Sequence, residues 1–157
     1  MGEETGLRQV MERYGDMVYR LALAQTHSSH DADDVFQEVF LRYLRAAPVF
    51  REEEHRKAWL LRVTVNCCKK LHGSFWRRHT VALSETLPAQ NPEEGELLGL
   101  LEGLPQKYRA VLHLYYYEGY ATEEIAAILG RSPGTVRSQL SRGRALLRDA
   151  WKGAEEL

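Results

Sequence analysis

Apolar side chains recur at three- and four-residue spacing along most of this 157-residue chain, and clean period-two alternation is absent. Leu7, Val10, Met11, Tyr14, Val18, Leu21 and Ala22 follow the helical repeat and predict a first helix over about 5–26. The tract Ser28-Ser29-His30-Asp31-Ala32-Asp33-Asp34 offers N-cap candidates and first-turn acids for a second helix over about 31–47. The apolar face of that helix reads Val35, Phe36, Val39, Phe40, Tyr43 and Leu44, and Pro48 stops it. A third helical stretch covers about 54–77. No Asn-Gly or Asp-Gly hairpin signal occurs anywhere.

Residues 79–95, HTVALSETLPAQNPEEG, interrupt the pattern with two prolines, acids and small polar residues. They predict a flexible linker between halves of roughly 75 and 60 residues, small enough that each must be tightly helical. The second half carries four helix signals. LLGLLEGL is a short amphipathic piece, Pro105 starts a helix running to about Glu118, Thr122-Glu123-Glu124 caps a third, and Ser132-Pro133 opens the last, which runs to about Trp151. The expected fold class is therefore all-α, two small helical domains joined by a flexible linker, the second a four-helix domain.

Residues 119–148 are the most informative segment. Ile125, Ala126 and Leu129 make one apolar face and Val136, Leu140 and Leu147 another, joined by the tight turn Gly130-Arg131-Ser132-Pro133. Small residues at Ala126 and Ala127 let the two helices cross closely, the layout of a helix-turn-helix whose second helix enters the DNA major groove. Arg137, Ser138, Ser141 and Arg142 share one face of that helix. Arginine offers a bidentate fork to guanine and serine a short hydrogen-bonding arm. Thr135, Arg144 and the helix N-terminus suit phosphates, which position without specifying.

Charge adds a second contact. The formal net charge is −1, but it is unevenly laid out. Residues 51–80 hold 8 basic and 3 acidic residues and residues 131–157 hold 6 and 3, while 1–50 and 81–130 are acidic. Arg56, Lys57, Arg62, Lys69, Lys70, Arg77 and Arg78 lie in a stretch with no carboxylate. Phosphate attraction follows local charge, because screening limits its range to about 10 Å at 0.1 M salt. The same stretch interleaves Phe50, Trp59, Phe75 and Trp76 with its cations, the combination that single-stranded DNA binding uses for stacking and backbone capture. Trp59 and Val63 read as core.

The second helix offers a different surface. Asp34, Gln37, Glu38 and Leu41 lie on one side, a mixed acidic and apolar stripe suited to docking on a basic protein partner.

With these motifs in order, the chain resembles the extracytoplasmic-function group of bacterial RNA polymerase sigma factors over nearly its whole length. DADDVFQEVFLRYL resembles their core-polymerase-binding helix, AWLLRVTVNCCKKL their −10 element helix, and EEIAAILGRSPGTVRSQLSRGRALL their −35 element helix-turn-helix. The resemblance implies a non-enzymatic factor that binds core RNA polymerase and directs initiation at promoter DNA. It assigns 1–78 to region 2, 79–95 to the linker and 96–157 to region 4. It implies that Phe50 opens a loop capturing a flipped −10 base, that Asn66 lies near that pocket, and that Arg62, Lys69 and Lys70 hold the strand. It gives Arg137, Ser138, Ser141 and Arg142 the −35 bases, and Asp34, Gln37, Glu38 and Leu41 the polymerase clamp. An anti-sigma protein is a further expected partner. One departure stands out: Arg51 is followed by Glu52, Glu53 and Glu54, an acidic run beside DNA.

Other chemistry is set aside. No apolar run approaches the roughly 20 residues that cross a bilayer, and the acidic, polar N-terminus is not a signal peptide, so a cytoplasmic protein without membrane insertion is expected. Adjacent Cys67 and Cys68 point about 100° apart on a helix and read as small apolar residues, with a redox role the alternative. His27, His30, Asp31 and Asp34 read as loop residues beside an N-cap, and neither metal nor cofactor is expected. The rival to a sigma factor is a helix-turn-helix regulator whose first half senses or dimerises.

Overall fold

A computed structural model describes residues 2–75 and 103–155, which form helices and their connections with no strand among them. The chain divides into two units, 1–86 and 87–157. The expected linker, the LLGLLE part of the short amphipathic piece, and Trp76, Arg77 and Arg78 lie outside the described residues.

In the first unit, α1 (Gly2–Thr26), α2 (Ser29–Ala46) and α3 (Glu53–Phe75) each pack against the other two. The helical repeat dictates the core: Val10, Tyr14, Val18 and Ala22 from α1 meet Ala32, Val35, Val39, Phe40 and Tyr43 from α2 and Leu60, Cys67 and Cys68 from α3. Trp59 and Val63 pack at its edge, and both cysteines are buried and unbridged. A two-residue corner separates α1 from α2. His27 takes the left-handed region at φ 54° and its N–H returns to the Leu23 carbonyl, then the Ser28 hydroxyl caps α2 by accepting from the Asp31 N–H at 3.2 Å. At the far end of α2, Ala47 adopts φ 43° and closes the helix onto the Tyr43 carbonyl, a left-handed cap usually given to glycine. Leu44 departs from its expected place in the buried stripe: it is 56% exposed.

In the second unit, Pro105 precedes α4 (Gln106–Leu112) as the sequence predicts, but the helix does not run on unchanged to Glu118. It widens into a π-helical turn over His113–Tyr117, where the Glu118 N–H reaches the His113 carbonyl five residues back. Gly119 at φ 76° then turns the chain. Helix α5 (Thr122–Leu129) begins one residue earlier than the expected Thr122 cap. Ala121 holds the N-cap position and has no capping side chain, so the Glu124 carboxylate reaches back to its N–H at 2.9 Å. Gly130 at φ 67° ends α5, and Ser132 opens α6 (Pro133–Glu155) by accepting from the Thr135 N–H at 3.1 Å. Ile125, Ala126, Ile128, Val136 and Leu140 are buried, whereas Ala127, expected at the helix crossing, is exposed. Gly143 sets how near α6 lies to α4: a β-carbon there would sit 3.2 Å from Leu112 Cδ1 and 3.3 Å from Tyr108 Cβ.

Candidate nucleic-acid interface

The second unit presents a coherent outer face on α6. Thr135, Arg137, Ser138, Ser141 and Arg142 are all exposed, while Val136, Leu140 and Gly143 on the same helix turn inward. One helix thus holds the fold with one side and offers hydroxyls and guanidinium groups with the other. Two further cations are occupied within the unit. Arg131, in the turn, donates to the Gln139 side chain at 2.8 Å and toward the Lys107 carbonyl at 3.4 Å. Burial pulls its guanidinium below the ordinary arginine range. Arg144 is half-buried and lies over the rings of Tyr115 and Tyr116, at 5.3 and 5.7 Å from their centroids. The structure therefore separates Arg144 from the five exposed side chains with which it was grouped.

The first unit shows a second basic face. Arg62, Asn66 and Lys69 fall at i, i+4 and i+7 on α3 with Lys70 beside them, and all four are exposed. Leu60, Leu61, Thr64, Val65, Cys67 and Cys68 occupy the opposite, buried side. At the N-terminal end of this face, Phe50 is half-buried, meets the edge of Trp59 at 6.3 Å between centroids, and carries the Arg56 guanidinium at 5.4 Å. Trp59 in turn stands edge-on to Tyr43 at 5.7 Å.

Below Phe50 lies a network invisible in the linear sequence. The Tyr14 hydroxyl of α1 donates to Glu53 Oε2 at 2.8 Å, Arg13 lies 3.7 Å from the same oxygen, and Arg56 Nη1 bonds Glu53 Oε1. Arg56 Nε donates to the Tyr43 hydroxyl at 3.2 Å. Tyr14 and Arg56 together hold the Glu53 carboxyl below the usual carboxylate range. One acid of the Glu52-Glu53-Glu54 run is thus neutralised by its own fold, which softens the acidic departure noted in the sequence. Burial and the bond to Glu53 push the Tyr14 hydroxyl up from 10.0 to about 12. Because the folded value exceeds the unfolded one, this stabilisation is complete below pH 10.0 and is lost as pH rises through about 12. Tyr14→Phe should lower stability at neutral pH by about 1 kcal/mol and flatten the loss between these limits, as read by denaturant titration across pH. An unchanged alkaline slope would show that Tyr14 does not carry it.

On α2, Asp34, Gln37 and Leu41 are exposed together, with His30 4.0 Å from Asp34. Glu38 sits at the stripe's edge and accepts from Arg42 Nε at 3.1 Å. Leu44 extends the apolar part of the surface beside Leu41.

Residues 10–80 match the Sigma-70 region 2 family and residues 94–147 the Sigma-70, region 4 family. The chain is 30% identical to the ECF RNA polymerase sigma factor SigM of Mycobacterium tuberculosis, across 93% of its own length and 77% of the relative's. It belongs to the ECF sigma factors. It is also 36% identical to SigE of Mycolicibacterium smegmatis across 90% of its own length, while spanning 60% of that longer protein. Among solved structures, CnrH in complex with the cytosolic domain of CnrY superposes with a TM-score of 0.73 at 25% identity, over 97% of this chain and 91% of that one. RpoE of Bartonella quintana shares the fold, with a TM-score of 0.80 at 22% identity over 92% and 96% of the two chains.

In this sigma factor the sequence pattern found the exposed residues of α3 and α6 but missed the network of Tyr14, Glu53 and Arg56, whose contacts join positions up to 40 residues apart. It also missed Leu44, since period alone does not tell the rim of an apolar stripe from its centre. No helix among the described residues is long and apolar enough to cross a membrane.

Proposed function

We propose that this sigma factor binds core RNA polymerase in the cytoplasm and directs initiation at specific promoters, acting as an initiation factor without catalysis of its own. Residues 1–78 serve as region 2, 79–95 as the linker and 96–157 as region 4. The observation that carries this reading is the presence, in sigma order, of two exposed basic helical faces, one beside an aromatic loop and one on a helix-turn-helix. The aromatic loop suits an unpaired strand: Phe50 stacks on a flipped −10 base, Asn66 reads an edge, and Arg62, Lys69 and Lys70 hold the phosphates. The α6 face suits duplex, with Arg137, Ser138, Ser141 and Arg142 toward −35 base edges, Thr135 toward the backbone, and Arg144 approaching phosphate only as far as its tyrosine stack allows. Asp34, Gln37, Glu38 and Leu41 face the polymerase clamp.

CnrH is in complex with the cytosolic domain of CnrY and RpoE of Bartonella quintana with the anti-sigma factor NepR, which supports a partner of anti-sigma type for this chain as well. Run-off transcription with purified core polymerase on genomic fragments tests the whole reading, with discrete promoter-dependent products expected. Glu38→Lys should weaken association with core polymerase by roughly tenfold, because it reverses a charge within the docking stripe. Undiminished co-purification of that variant would move the polymerase contact off α2. A palindromic footprint without polymerase would instead favour a dimeric regulator.

A further inference from the structure

Of the groups that meet the Glu53 carboxylate, the Arg56 guanidinium also lies against the aromatic ring assigned to base capture. We propose that Arg56 is a positioning residue for Phe50, holding its ring in the orientation that receives the extruded base; the inference rests on the reading of Phe50 given above.

Arg56 touches three separate elements. Its Cζ lies over the Phe50 ring at 5.4 Å from the centroid, its Nε reaches the Tyr43 hydroxyl of α2 at 3.2 Å, and its Nη1 is gripped by Glu53 at the start of α3. Glu53 is fixed in turn to α1 through Tyr14 at 2.8 Å and Arg13 at 3.7 Å. A loop ring on its own rotates among several staggered orientations. Here the guanidinium bears on the ring and Trp59 on its edge, while Phe50 as a whole stays half-buried and so keeps part of its surface open. A planar fork that bonds two partners while stacking on a third is what arginine offers and lysine does not. Arg56 is itself mostly covered, its side chain 23% exposed, so it is built into the loop's support.

The test uses the full chain assembled with core polymerase on a promoter fragment chosen by run-off transcription. The fragment carries 2-aminopurine beside the captured −10 position, so that its fluorescence reports opening. Arg56→Met keeps an unbranched stem and should reduce opening about tenfold, the scale of one charge-assisted bond plus one cation–π contact. Glu53→Gln loosens the grip on Arg56 with little change of shape, and should reduce opening about threefold. The deciding measurement is the double variant. If Arg56 acts through Phe50, Phe50→Ala/Arg56→Met opens DNA no worse than Phe50→Ala alone, whereas a merely structural role makes the losses multiply. Multiplying losses overturn the inference and leave the reading of Phe50 intact. An inert Phe50→Ala overturns that reading, and the inference with it. Should melting curves show that Arg56→Met does not fold, the same cycle with Glu53→Gln decides the matter.

Discussion

Val136→Asp is expected to unfold the second unit while the melting transition of the first survives. Val136 is completely buried on the inner side of α6, in an apolar interior where Ile125, Leu114 and Val111 of the same unit are likewise fully buried. An unpaired carboxylate in such an interior costs ~3–5 kcal/mol after the surroundings relax. A unit of about 60 residues has roughly 3–9 kcal/mol to lose, so the substitution removes most or all of its stability. Calorimetry of the full chain should show one transition lost, and duplex binding through α6 should vanish with it. Two unchanged transitions would mean that α6 is not docked as described.

Leu60→Ala should have the complementary effect on the first unit. Leu60 is fully buried in the cluster formed by α1, α2 and α3, so truncation leaves a cavity that three packed helices fill poorly. The cost should be ~2–5 kcal/mol, lowering Tm by on the order of 15 °C for a unit of this size. Promoter opening should fail at temperatures where the wild type is active, since α3 carries Arg62, Asn66, Lys69 and Lys70 on its opposite side. A change of only ~3 °C would show that the helices close around the missing atoms.

The sequence was most readable where one physical rule acts locally. Period 3.6 located α1, α2 and α3 to within a few residues, because each has a single broad apolar stripe. Ser132 and Gly130 marked the helix-turn-helix corner through capping chemistry that few other residues perform. It was least readable where distant residues meet. In the acidic run after Phe50, folding pairs the middle residue, Glu53, with Tyr14 and Arg13 of α1, pairings no spacing rule encodes. Nor does the sequence carry any sign that Arg144 lies over the rings of Tyr115 and Tyr116, which the chain brings beneath it through the π-helical turn. That turn over His113–Tyr117 was itself unforeseen, since a single π-helical turn inside a helix leaves no periodic signal in the sequence.

The division of labour along α6 bears on redesign. Val136, Leu140 and Gly143 face the rest of the unit, and a side chain at Gly143 would press on Leu112 and Tyr108, which would have to give by a few tenths of an ångström. Arg137, Ser138, Ser141 and Arg142 carry no such burden. Under the proposed reading of these four as −35 base contacts, a library randomising them would explore new target sequences without touching the residues that hold the domain, and orthogonal variants for synthetic gene circuits would need no restabilising of their host.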